Sequence, residues 1–93
     1  MSFRQVTIFG VGLLGGSLGL ALKQRRLAES VVGVGHRQST LDAAVARGAI
    51  DRGTIRPAEG VAGSDLVVLA TPVGRFAALL AEASPALSPG CLI

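Results

Sequence analysis

The sequence predicts an α/β fold, a parallel sheet with helices on both faces, on three observations. Short β-branched apolar runs alternate with stretches whose apolar residues recur every three or four positions. Leu66-Val67-Val68-Leu69-Ala70 is apolar without a break, as a strand buried on both faces of a parallel sheet must be. Glycine, 13 of 93 residues, runs at about twice its average usage, and it sits inside apolar segments, which marks tight backbone geometry rather than a linker. A chain of 93 residues is one domain at most and buries only about 60–65% of its unfolded surface. That length suits one βαβαβ half and the start of the next strands, an incomplete sheet.

Each element follows in order. Arg4 to Phe9 is β-branched and aromatic and stops at Gly10, so it reads as a buried strand. Leu14, Leu18, Ala21 and Leu22 then mark one face of a helix running to about Arg26. Ala28-Glu29-Ser30 reads as the turn before a second strand, Val31 to Val34, which ends at Gly35. Ser39 opens the next helix, and Asp42 three residues on resembles a capping box. Leu41, Ala44 and Val45 line its inner face with Gly48 alongside, and Gly48 ends it. Ala49 to Asp51 is a brief extended piece, and 52–63 a polar connection with room for a short helix after Pro57. The strand at 66–70 stops at Thr71-Pro72. Phe76, Leu79, Leu80 and Ala83 give a further helix, Pro89-Gly90 a turn, and Cys91 to Ile93 the start of a strand. Right-handed crossovers set the strands at 4–9 and 66–70 side by side at the centre of the sheet.

Composition removes several function classes. Nine basic and six acidic residues give a net charge of +3. The basic residues are scattered apart from Lys23, Arg25 and Arg26, which complement the dipole at a helix C-terminus. Three Phe far apart build no stacking platform, so no nucleic-acid partner is expected. The single Cys91 excludes an intrachain disulfide framework and a multi-cysteine metal site, and reads as a small buried hydrophobe. The single His36 makes no metal site with it, and a reducing cytoplasm suits the chain. Thr7 to Ala21 is uncharged and follows Arg4, which mimics a signal peptide or anchor. It is shorter than the roughly 20 apolar residues a bilayer needs, and glycines break it at fixed offsets, so no membrane partner is expected.

Gly10-Val11-Gly12-Leu13-Leu14-Gly15 is the central motif. GxGxxG alone is a weak signal; between a strand and a helix inside a βαβ unit it is specific, and it makes the fold Rossmann-type. Gly10 permits the sharp turn, Gly12 lets a pyrophosphate approach bare backbone, and Gly15 lets the helix pack closely. The pyrophosphate meets the free N–H groups of the helix that opens at Leu13 and Leu14.

Two further segments complete the expected cofactor site. An NAD-binding domain places an acid at the end of the second strand, about 20 residues after the motif, to bind the adenosine ribose. Gly35 stands there, followed by His36 and Arg37. A carboxylate would repel a 2′-phosphate; its absence beside Arg37 favours one, with a bidentate contact from Arg37, His36 stacking or donating, and a hydroxyl from Ser39. The expected cofactor is therefore NADP rather than NAD, against the alternative that His36 and Arg37 form a solvated loop. Thr71-Pro72-Val73 lies at the carboxyl end of a central strand, where ligands of open α/β sheets bind.

Together these stretches resemble the N-terminal part of the prephenate and arogenate dehydrogenases: Thr7 to Lys23 (TIFGVGLLGGSLGLALK), Val31 to Asp51 (VVGVGHRQSTLDAAVARGAID) and Asp65 to Val73 (DLVVLATPV). The Gly15-Gly16-Ser17-Leu18 extension and the ATPV segment carry the resemblance beyond the glycines. It implies oxidative decarboxylation of prephenate or arogenate in tyrosine biosynthesis, with hydride passing to a nicotinamide cofactor. It implies that Gly10, Gly12, Leu13, Leu14 and Gly15 hold the pyrophosphate. Gly35 to Arg37 would hold the adenosine ribose, and Thr71 to Val73 flank the nicotinamide. NAD-using members tend to carry Asp at the Gly35 position, so the departure again suggests NADP. The family's catalytic histidine, its substrate-binding residues and its helical dimerisation domain are expected beyond Ile93. Residues 1–93 thus read as the N-terminal portion of a dinucleotide-binding domain with no catalytic residue, binding cofactor weakly or not at all alone and forming a homodimer when full length.

Three alternatives stay open at this point. The chain could belong to another Rossmann dehydrogenase, such as a pyrroline-carboxylate reductase or a hydroxyacid dehydrogenase. It could be a nucleotide-sensing module without chemistry, although those usually keep the acid that Gly35 replaces. It could also be an interaction fragment whose open sheet edge pairs with another copy.

Overall fold

The computed structural model describes residues 3–71, 76–87, 90, 91 and 93. Strands β1 (Phe3–Phe9), β2 (Ala28–Val34), β3 (Arg52–Thr54) and β4 (Leu66–Leu69) form one sheet in the order β3-β2-β1-β4. Every pairing is parallel, with Val6 opposite both Val31 and Leu66, and Phe9 opposite both Val34 and Leu69. Helices α1 (Leu13–Gln24), α2 (Gln38–Ala46), α3 (Pro57–Val61) and α4 (Phe76–Ala83) connect the strands or follow them.

The two-residue alternation of β1 divides the core. Val6 and Ile8 pack with Val31, Leu22, Leu41, Ala44 and Ile50, on the side of α1 and α2. Phe9 packs with Val34, Val61, Val67 and Ala83, on the side of α3 and α4. Thr7, fully buried, shares that second face, and its hydroxyl donates to the Gly60 carbonyl at 2.6 Å while touching Ser64 Oγ. That network ties the short α3 to the central strand. Asp65, just before β4, accepts the amides of Arg4 and Gln5 through its two carboxylate oxygens, each at 2.9 Å. Those amides hold its carboxyl below the usual value of 3.8. A second clamp joins the far side: Asp51 pairs with Lys23 and accepts the Val31 amide at 2.7 Å.

Several boundaries differ from the sequence expectation. The second strand begins at Ala28, and the turn is Arg25 to Leu27, with Arg26 at φ +54°. The first helix stops at Gln24. Ser39 does not cap the second helix: Arg37 holds the N-cap position and no side chain caps it, while Gln38 donates to Asp42 at 3.0 Å. Val45 and Gly48 face solvent, leaving Leu41 and Ala44 as the buried face of α2; Gly48, at φ +78°, does follow its end. The polar connection contains a strand, β3, as well as the helix after Pro57. β4 lies beside β1 but at the edge of the described sheet, so Val67 alone in it is fully buried and Leu66, Val68 and Leu69 are half-buried. Cys91 and Ile93 are not in a strand, and Pro89 lies outside the described residues.

Candidate functional site

The carboxyl ends of β1, β2 and β4 meet at the glycine turn. Gly10 has φ +93°, and a Cβ there would come within 2.8 Å of the Ala70 carbonyl oxygen, so both conformation and space demand glycine. At Gly15 an added Cβ would overlap the Gly10 carbonyl oxygen, which is how closely α1 crosses the strand end. Gly12 differs in kind. Its φ is −70°, and a Cβ there would meet nothing within 4 Å among the described residues. The protein's own packing therefore gives no reason for glycine at 12, whereas an approaching ligand does.

Gly12 is also the N-cap of α1, with no side-chain cap and no acid in the first turn. The amides from Gly12 to Gly15 precede the first intrahelical bond, and they carry the positive end of the helix dipole. The residues present thus suit a diphosphate: bare backbone, open space and uncapped N–H donors. Leu13 and Leu14 open the helix as expected; their side chains lie outside the described part.

Two adjoining cavities flank this turn. One, about 250 Å³, is lined by Gly10, Gly12, Gly35, His36, Arg37 and Thr71, so six expected site residues do come together. The other, about 280 Å³, shares Gly10, Gly35, His36 and Thr71 and adds an apolar wall of Phe9, Val34, Ile55 and Pro57 with Glu82 at its rim. Thr71 Oγ1 is buried and lacks a hydrogen-bond partner among the described residues, an orphaned hydroxyl at the cofactor cleft. Pro72 and Val73, expected beside it, lie outside the described residues. Ser39 lines neither cavity; it faces a neighbouring groove between α1 and α2. Residues missed by sequence reasoning are Thr40, Ile55, Pro57 and Glu82. Ile55, 53% exposed, was the legible one, an isolated large apolar residue within a polar connection.

At Gly35 an added Cβ would make ordinary contact with Leu41, 3.5 Å away. An acid would fit there, so its absence is not imposed by packing. Burial and the charge of Asp65 push the Cys91 thiol up from its ordinary 9.0, which suits a quiet apolar residue rather than a nucleophile. Among the described residues no group of three or more His, Cys, Asp or Glu is placed to hold a metal, and no helix is long and apolar enough to cross a membrane.

Comparison with known proteins agrees with this geometry. Residues 18–93 match the family described as prephenate dehydrogenase, nucleotide-binding domain; the match begins just past the glycine turn. A prephenate dehydrogenase of Bacillus subtilis strain 168 is 31% identical over 77 residues, 83% of this chain and 21% of that protein. Prephenate dehydrogenase from A. aeolicus, solved with hydroxyphenyl propionate and NAD+, superposes with a TM-score of 0.88 at 28% identity, covering 99% of this chain and 33% of that one. Synechocystis arogenate dehydrogenase gives 0.86 at 29% identity, over 96% of this chain and 31% of its own. The chain thus spans about a fifth of its curated relative (21%) and a third (33%) of the first of these structures. A strand, an uncapped glycine turn and a helix in this order, with that family match over most of its length, make the chain a member of the prephenate dehydrogenase family, within its nucleotide-binding domain.

Proposed function

We infer that this chain binds NADP in preference to NAD, as the cofactor-binding part of a cytoplasmic, homodimeric prephenate or arogenate dehydrogenase. The open cradle over Gly12 carries the reading: no described residue crowds the position, which leaves a ligand room to approach its backbone. With its diphosphate held there, the cofactor would present a nicotinamide that accepts the hydride released as the substrate ring loses carbon dioxide. The chain's own groups do the holding. The amides from Gly12 to Gly15 take the diphosphate at the positive end of α1. Gly35 leaves the ribose edge free of negative charge, and Arg37, exposed beside it, supplies a planar fork for a 2′-phosphate with His36 alongside. The Thr71 hydroxyl, unpartnered among the described residues, is a ready donor or acceptor toward a ligand in the cleft. The A. aeolicus relative was solved with NAD+, so cofactor choice in this chain rests on Gly35 and Arg37. Catalytic, substrate-binding and dimerising groups would come from outside residues 1–93, which form the N-terminal portion of the dinucleotide-binding domain.

The double variant Gly35→Asp with Arg37→Gln tests the cofactor reading. The new Cβ makes ordinary contact with Leu41, and the carboxylate it carries would take up ribose hydroxyl bonds and repel a 2′-phosphate. The ratio of NADPH to NADH affinity, measured by fluorescence titration, should fall by about a hundredfold, the sum of two charge-assisted contacts. An unchanged ratio removes the 2′-phosphate from the account.

A further inference from the structure

A third cavity runs beside the cofactor cleft, between α1 and α2, and its lining includes Gly12, Gly16, Ser39, Thr40 and Arg47. It is continuous with the cleft, because Gly12 and Thr40 line both. Among the described residues that line it, Arg47 alone is charged and no carboxylate is present. Arg47 makes no ion pair among the described residues, where Lys23–Asp51 and Arg56–Glu59 are the pairs found. It is exposed at the C-cap of α2, yet its guanidinium lies back against α1: a Cβ on Gly16 would come within 3.2 Å of Arg47 Nη2. Two turns of α2 separate Thr40 from Arg47, so they share one face of that helix. A cation held over the first turns of α1, in a groove whose described lining offers it no counter-charge, has no role in the core.

The geometry points to this groove as the extension of the 2′-phosphate site, with Thr40 and Arg47 as specificity-determining residues beyond Arg37; the inference rests on the NADP reading above. A 2′-phosphate leaving the ribose at Gly35 to Arg37 enters the groove at Thr40, which lines both cavities and whose hydroxyl donates to it. Arg37 then approaches from the loop after β2 and Arg47 from the far end of α2, adding charge that a neutral ribose hydroxyl does not feel. The two arginines thus discriminate against NAD by what they gain from NADP, without a clash against it.

Adenosine 2′,5′-bisphosphate and 5′-AMP separate the roles, because both carry the 5′-phosphate and only the first carries the 2′-phosphate. Calorimetric titration of the chain should show Arg47→Gln weakening the bisphosphate about tenfold and Thr40→Val about threefold, with 5′-AMP changed less than about twofold. Arg47 is exposed, and an unchanged circular dichroism melt confirms that the variant folds. Equal weakening of both nucleotides by Arg47→Gln overturns the proposal, since the arginine would then serve the 5′-phosphate; so does no change in either. If Arg37→Gln abolishes the preference for the bisphosphate and Arg47→Gln keeps it, this inference alone fails. If the unaltered chain binds the two nucleotides equally, the NADP reading fails and takes this inference with it.

Discussion

Replacing Gly12 with valine separates ligand binding from folding, because an added side chain there would meet no other described residue. Its φ of −70° is open to an L residue, and beyond its chain neighbours no described residue comes within 4 Å of the new Cβ. The cost to the free chain is then that of a poorer N-cap residue, about 1 kcal/mol. For a domain of this size that lowers the melting temperature by roughly 4–8 °C. Ligand at ten times its dissociation constant stabilises the parent by about 1.4 kcal/mol, read as roughly 5–11 °C. In Gly12→Val two methyl groups occupy the space of the diphosphate, so the NADPH-dependent shift should vanish while the free melt falls only modestly. Differential scanning fluorimetry of both proteins, with and without NADPH, reads the two quantities together. A variant stabilised by NADPH as strongly as the parent would refute the cradle.

Gly15→Ala should behave oppositely: its methyl overlaps the Gly10 carbonyl, so denaturant unfolding should show a loss of about 1–3 kcal/mol before any ligand is added. Thr7→Val removes the buried donor to the Gly60 carbonyl and should cost about 1–2 kcal/mol in the same assay. Acid should destabilise the fold through two carboxylates. Partial burial acts to raise the Asp51 pKa, but the Lys23 and Val31 hydrogen bonds and the charge of Lys23 outweigh it. The Arg4 and Gln5 amides lower that of Asp65. A depressed folded pKa contributes stability that is present above the unfolded value near 3.8 and is lost as pH falls through the folded value. Melting temperature should therefore drop below about pH 4, and Asp51→Asn with Asp65→Asn should flatten that limb; an acid limb of unchanged slope would show that other groups govern it.

How much of this was legible in the sequence depended on which signal each segment carried. The first strand, the glycine turn and the first helix announced themselves because apolar periodicity and glycine spacing pointed the same way. β3 did not, since Arg52-Gly53-Thr54 contributes ladder hydrogen bonds to β2 and little apolar surface. Ala28 to Ser30 misled for a related reason: the strand extends to pair with Phe3 and Gln5, and there Glu29 and Ser30 make it polar although Ala28 still packs against the core. Ser39 looked like a cap because its residue type and the spacing to Asp42 fit one, but the helix opens one residue earlier, at Gln38. In the site, the backbone cradle was readable because only glycine leaves such a trace. Thr40, Pro57 and Glu82 were not, because spatial convergence at the sheet edge has no counterpart in linear spacing.

The position of β1 has a consequence for how the chain comes together. β1 is paired on both sides in the finished sheet, yet one neighbour, β4, begins at Leu66, opposite Val6. During synthesis β1 and β2 can zip early, but the other flank of β1 stays unsatisfied until β4 has emerged. The Asp65 clamp on Arg4 and Gln5 closes the same long loop. Assembly is therefore governed by a late, distant closure rather than by the local turns, the regime in which parallel sheets fold slowly and nascent apolar edges linger.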